Sequence, residues 1–123
     1  MTRVLVVDDD ADFRSMLKSA LELAGYRVDV ARDGKAALLA QRASPADILV
    51  TDLFMPEKDG FEAIEAFREQ FPATRIVAVS GGARLMKTDY LAAAGMVGAD
   101  AALQKPFEME KLLELLETLA PAT

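Results

Sequence analysis

The chain has 123 residues, enough for one domain that needs no disulfide or metal staple to fold. It contains no cysteine and no histidine, which excludes disulfides, thiolate chemistry, histidine metal ligands and any Ser-His-Asp triad. The net charge of −6 argues against direct nucleic-acid binding, which needs clustered Lys and Arg, and no apolar run approaches the ~20 residues of a membrane span.

Met1-Thr2-Arg3 leads straight into the β-branched run Val4-Leu5-Val6-Val7, with no signal-peptide pattern before it, so a soluble cytoplasmic protein is expected. That run predicts a buried strand ending in Asp8-Asp9-Asp10. Phe13, Leu17, Ala20, Leu21 and Ala24 then recur at helical spacing, and Gly25 is a stop. Arg27 to Ala31 predicts a second strand, with Val28 and Val30 alternating, and Asp33-Gly34 a turn. A helix over Lys35 to Ala43 follows, stopped by Ser44-Pro45.

Asp47 to Thr51 predicts the third strand, ending at Asp52, followed by a loop from Leu53 to Gly60. Phe61, Ile64, Phe67 or Arg68, and Phe71 mark a helix that runs to Pro72. Arg75 to Val79 predicts the fourth strand, followed by Ser80-Gly81-Gly82, and a helix is expected around Met86 to Ala94. Asp100 to Gln104 reads as the fifth strand. Lys105-Pro106-Phe107 leads into a last helix with Leu112, Leu113, Leu116 and Leu119 on its inner side, and residues 120–123 form a short tail. Five strand–helix units with short connections predict an α/β domain over residues 1–123, a parallel sheet with helices on both faces.

The polar residues that directly follow the apolar runs carry the chemistry. Taken singly, each has a bland explanation: Asp after a strand caps helices or shapes turns, and a lone Ser or Lys is usually a loop or solvated residue. Asp10 is assigned that capping role. In a parallel sheet, however, Asp8, Asp9, Asp52, Ser80 and Lys105 all fall at the same strand edge, where open α/β sheets bind their ligands. Two carboxylates about 4 Å apart repel by ~4 kcal/mol at an effective dielectric near 20, so the cluster calls for a counter-charge. Hard oxygen ligands at a wet rim suit Mg²⁺. A carboxylate, a divalent cation, a lysine and a hydroxyl donor together make a phosphoryl-transfer site, in which Asp52 is the candidate nucleophile.

The segments VLVVDDD, VTDLFMPEKDG, VAVSGG and LQKPF together resemble the receiver domain of two-component response regulators, over essentially the whole chain. The resemblance implies a doubly wound, flavodoxin-like sheet of strand order 2-1-3-4-5. It implies Asp52 as phosphoacceptor, Asp9 as direct metal ligand, Asp8 as a partner through metal-bound water, and the Phe54 backbone carbonyl as a further ligand. The metal would be Mg²⁺ or Mn²⁺. Ser80 and Lys105 would bind phosphoryl oxygens, and Lys105-Pro106 would be cis. Gly81 would leave room for the donor, and Met55-Pro56 and Asp59-Gly60 would shape the loop after Asp52.

The resemblance further implies a regulatory phosphoacceptor, not an enzyme. Its donor would be a sensor histidine kinase or a histidine phosphotransfer protein, and its output a protein target or a fused domain, with no nucleic-acid or membrane contact. The chain would be a stand-alone receiver or a piece of a longer protein. Two positions stand out. Ala102 replaces the aromatic residue the family often carries three before the lysine, so output is expected to run through the segment after Ser80 and the helix that follows it. Phe54 is bulky beside the acceptor and is expected to slow water's access to it.

Three rival readings fit these residues less well. A pseudo-receiver kept only for protein contacts would not need Asp8, Asp9, Asp52, Ser80 and Lys105 intact. An aspartate-nucleophile phosphatase would carry a second Asp where Phe54 stands. A flavin-binding flavodoxin would not place three Asp residues in its phosphate loop.

Overall fold

In the computed structural model, which describes residues 1–53, 60–80, 95 and 98–121, the apolar runs pair side by side as β1 (Arg3–Val7), β2 (Arg27–Ala31), β3 (Ile48–Asp52), β4 (Arg75–Ser80) and β5 (Ala101–Gln104). All neighbours are parallel and the order is β2-β1-β3-β4-β5. The described helices are α1 (Ala11–Leu23), α2 (Gly34–Ala43), α3 (Gly60–Gln70) and α4 (Met109–Leu119). The expected helix around Met86 to Ala94 lies outside the described residues.

Alternation along the strands builds two cores, one on each face. Val4, Val6, Val28, Ile48, Val50, Val77 and Val79 meet Leu17 and Leu21 of α1 and Leu112 and Leu116 of α4. Leu5, Val7, Leu49, Ile76 and Ala78 point the other way, onto Ala37 and Leu38 of α2 and Ile64 and Phe67 of α3. Each fully buried Leu, Ile or Phe contributes about 1.5–3 kcal/mol relative to exposure. In α4 the expected inner residues divide: Leu112 and Leu116 are buried, Leu113 and Leu119 only partly. Val30, expected to alternate with Val28, is 39% exposed because β2 is the edge strand of the sheet.

The caps are local. Asp10 accepts from the Asp12 and Phe13 amides at 2.9 and 3.2 Å and starts α1; Asp33 accepts from the Ala36 amide at 2.8 Å and starts α2. Gly25 ends α1 with φ 101°, a conformation that costs a residue with a Cβ. A buried amide network joins α2 to the opposite sheet edge. Gln41 accepts from the Ala46 amide at 2.9 Å and donates to Thr74 Oγ1 at 3.0 Å.

Candidate functional site

Strand register sets the site before any side chain does. Val7 is level with Thr51, so Asp8 emerges beside Asp52, the last residue of β3. Asp52 is level with Val79, and Ser80 is level with Gln104. The Lys105 amide donates to the Ser80 carbonyl at 2.8 Å, which carries the β4–β5 pairing one residue further. Segments far apart in sequence therefore end on one rim.

Asp8, Asp9 and Asp52 each offer a carboxylate oxygen, and these oxygens lie within 4.8 Å of one another. Asp8 is 2% and Asp52 8% exposed, while Asp9 faces solvent. The Lys105 ammonium donates to Asp8 Oδ2 at 2.8 Å and stands 3.7 Å from Asp52 Oδ2. Asp8 Oδ1 accepts from the Asp10 amide at 2.9 Å, so both oxygens of Asp8 have a partner within the protein. Three carboxylates and one ammonium leave two formal negative charges, the complement of one divalent cation. Ser80 is fully buried, and its hydroxyl has no hydrogen-bond partner among the described residues. A buried unsatisfied hydroxyl costs about 1–3 kcal/mol and marks a donor without its acceptor.

Asp8, Asp9, Asp52 and Lys105, all expected at the site, are thus brought together, and Lys105-Pro106 is cis. Phe54, Met55, Pro56, Asp59 and Gly81 lie outside the described residues. Gly60 opens α3 directly against the end of β3, its amide donating to the Leu53 carbonyl at 3.0 Å. Ala102 sits in β5 level with Ala78, so no ring stands at that position.

Two contacts escape sequence reading. Arg14 Nη1 donates to the Asp8 carbonyl at 2.8 Å, and the Lys105 ammonium lies 3.8 Å from the centre of the Phe13 ring. The helical spacing marks Phe13 as apolar and inward, but nothing in the sequence ties it to a lysine so distant. Among the described residues, no helix is long and apolar enough to cross a membrane.

Comparison with known proteins agrees with this geometry. The family model for the response regulator receiver domain matches residues 4–117. The transcriptional regulatory protein CpxR of Escherichia coli (strain K12) is 34% identical over 119 residues, covering 97% of this chain and 49% of CpxR. The chain spans about half the length of the curated relatives it matches. The chemotaxis protein CheY4 of Vibrio cholerae superimposes with a TM-score of 0.85 at 35% identity, over 97% of this chain and 98% of CheY4. The response regulator TrrA of Thermotoga maritima, solved in complex with Mg²⁺-BeF, superimposes with a TM-score of 0.84 at 28% identity, over 97% of this chain and 99% of TrrA. A match that begins within β1 and ends within α4 shows the family: this chain belongs to the receiver domains of two-component response regulators.

Proposed function

We propose that Asp52 is the phosphoacceptor of this receiver and that the domain works as a switch, with a histidine-phosphorylated kinase or phosphotransfer protein as donor. The observation that carries this is the Lys105 ammonium placed between Asp8 and Asp52, inside a cluster of three carboxylates. An Asp52 oxygen attacks the phosphorus, the bond from phosphorus to the donor nitrogen breaks with its electron pair going to that nitrogen, and the donor ring, already protonated on its other nitrogen, leaves as a free imidazole.

The residues present fit a divalent cation, Mg²⁺ or Mn²⁺: the carboxylates face one another, and their charge surplus is two. Asp9 and Asp52 would hold it directly, with the Phe54 carbonyl, and Asp8 through water, because both Asp8 oxygens are already engaged. When bound, the cation supplies positive charge that draws phosphoryl oxygens to the carboxylate cluster. Lys105, 3.7 Å from Asp52, is within reach of an oxygen on the new phosphoryl group. The Ser80 hydroxyl, without a partner among the described residues, gains an acceptor by turning toward that group.

Phosphorylation adds roughly −1.5 to −2 charges at pH 7. Charged hydrogen bonds of about 1.5–3 kcal/mol each can bias a two-state segment without unfolding the domain. With Ala102 in β5, the change passes through the segment after Ser80 to a protein target or a fused output domain. The net charge of −6 keeps this chain itself off nucleic acid, and the setting is the cytoplasm.

Mass spectrometry after treatment with acetyl phosphate and Mg²⁺ tests the assignment. The wild type should gain one phosphoryl group and Asp52→Asn none. Equal labelling of both, or of neither, would remove Asp52 from the role.

A further inference from the structure

The Lys105 ammonium has three N–H donors on a long flexible stem. Asp8 takes one at 2.8 Å, and Asp52 lies on a second side at 3.7 Å. The Phe13 ring also lies against the ammonium, its centre 3.8 Å from the nitrogen. That is well inside the ~6 Å at which an aromatic face attracts a cation.

Phe13 is itself held from two directions. Its amide donates to the Asp10 cap of α1 at 3.2 Å. Its ring meets Phe107 edge to face, with centres 6.2 Å apart and planes at 88°. Phe107 follows Lys105 by two residues, so the aromatic pair locks the lysine's segment to the turn that follows the carboxylates. An apolar residue at position 13 is also what the core beside α1 requires, and Leu would satisfy that requirement. Leu offers no negative ring face to the ammonium.

We propose that Phe13 is a positioning residue for Lys105: its ring fixes the ammonium over the Asp8–Asp52 site. Lys105 is thereby held where the phosphoryl oxygens arrive, with less rotamer freedom to lose at that moment. The inference rests on the function proposed above, with Asp52 as acceptor.

The test replaces Phe13 in the full chain by phenylalanines carrying one and then three ring fluorines, which drain the ring face of negative charge while nearly keeping its shape. Phe13→Leu is made alongside, and urea unfolding is followed for each protein. The rate of Asp52 labelling by acetyl phosphate at saturating Mg²⁺ should fall stepwise along the series, by about three- to tenfold for the trifluoro ring and for Phe13→Leu. In the wild type the Lys105 ε-methylene proton resonances should be shifted upfield by the ring current, and Phe13→Leu should abolish that shift. A flat rate across the fluorine series, or unshifted Lys105 resonances, overturns the inference while wild-type labelling at Asp52 leaves the acceptor assignment standing. Absence of labelling in the wild type overturns both.

Discussion

The carbonyl oxygen of Asp52 occupies the space in which a side chain at Gly60 would begin. A Cβ there would collide with that oxygen and with the Leu53 backbone. Neither obstacle is the movable end of a side chain, and the same carbonyl accepts from Thr51 Oγ1 at 3.0 Å. Gly60→Ala must therefore move α3 or the end of β3. Overpacking of this kind costs about 1–3 kcal/mol. Urea unfolding should show a lower midpoint, and labelling of Asp52 should slow because the proposed acceptor is displaced. A midpoint equal to wild type would mean the helix start yields freely.

Ser80→Ala should move stability and phosphorylation in opposite directions. The buried hydroxyl has no partner among the described residues, so its removal should stabilise the unphosphorylated protein by about 1 kcal/mol. The phosphorylated form should lose a hydrogen bond, and the unphosphorylated variant should bind beryllofluoride, a tetrahedral substitute for the phosphoryl group, about tenfold more weakly than wild type. Thermal unfolding with and without beryllofluoride and Mg²⁺ reads both. A loss of stability in the ligand-free variant would show that the hydroxyl is satisfied in solution.

Lys105→Met removes the positive charge nearest the carboxylates. The variant should bind Mg²⁺ more tightly than wild type, by roughly three- to thirtyfold for a cation a few ångströms away. It should nonetheless label more slowly with acetyl phosphate. Calorimetric titration gives the first quantity and mass spectrometry the second. Weaker Mg²⁺ binding would show that Lys105 organises the carboxylates more than it repels the metal.

At the opposite edge of the sheet, Arg68 donates to the Gly98 carbonyl at 2.8 Å, to the Pro72 carbonyl at 3.1 Å and to the Asp100 carboxylate. Asp100 in turn accepts from the Ile76 amide at 2.7 Å. Arg68→Ala should cost about 1.5–3 kcal/mol, because a half-buried carbonyl, an exposed carbonyl and a carboxylate lose a shared charged donor. The labelling rate of Asp52 should stay at the wild-type value. A stability change within a few tenths of a kcal/mol would reduce the cluster to a solvated surface pair.

Tyr26 packs at the edge of the core under α1, where burial first and the Glu117 carboxylate second push its phenol above the ordinary value of 10.0. The folded state thus favours the neutral phenol. That contribution is complete below the unfolded pKa and is lost as pH rises through the folded one. Stability should fall at alkaline pH, and Tyr26→Phe should flatten the fall. Parallel alkaline profiles for the two proteins would assign the fall to other groups.

Much of this architecture was legible in the residues alone. Val4 to Val7, Ile48 to Val50 and Ile76 to Val79 are apolar until they emerge, and the polar residues that follow mark one edge of a parallel sheet. Local backbone preference and side-chain periodicity carry that information, as they do for the Asp10 cap, whereas Asp33, read as a turn residue, caps α2. Strand ends, and hence Asp8, Asp52, Ser80 and Lys105, could be placed on one rim without coordinates because parallel register follows from strand–helix alternation.

Contacts between segments far apart in the chain had no such local signature. The Phe13 ring under Lys105, the Asp52 carbonyl against Gly60, the Gln41 amide tied to Ala46 and Thr74, and the Arg68 cluster each depend on where loops deliver their side chains. Apolar spacing marks Phe13 as inward but cannot name the cation it meets, and a polar Gln41 inside a helix gives no sign of burial. Packing of one element on another decided these, because the distances involved are set by the fold as a whole and not by any run of neighbouring residues.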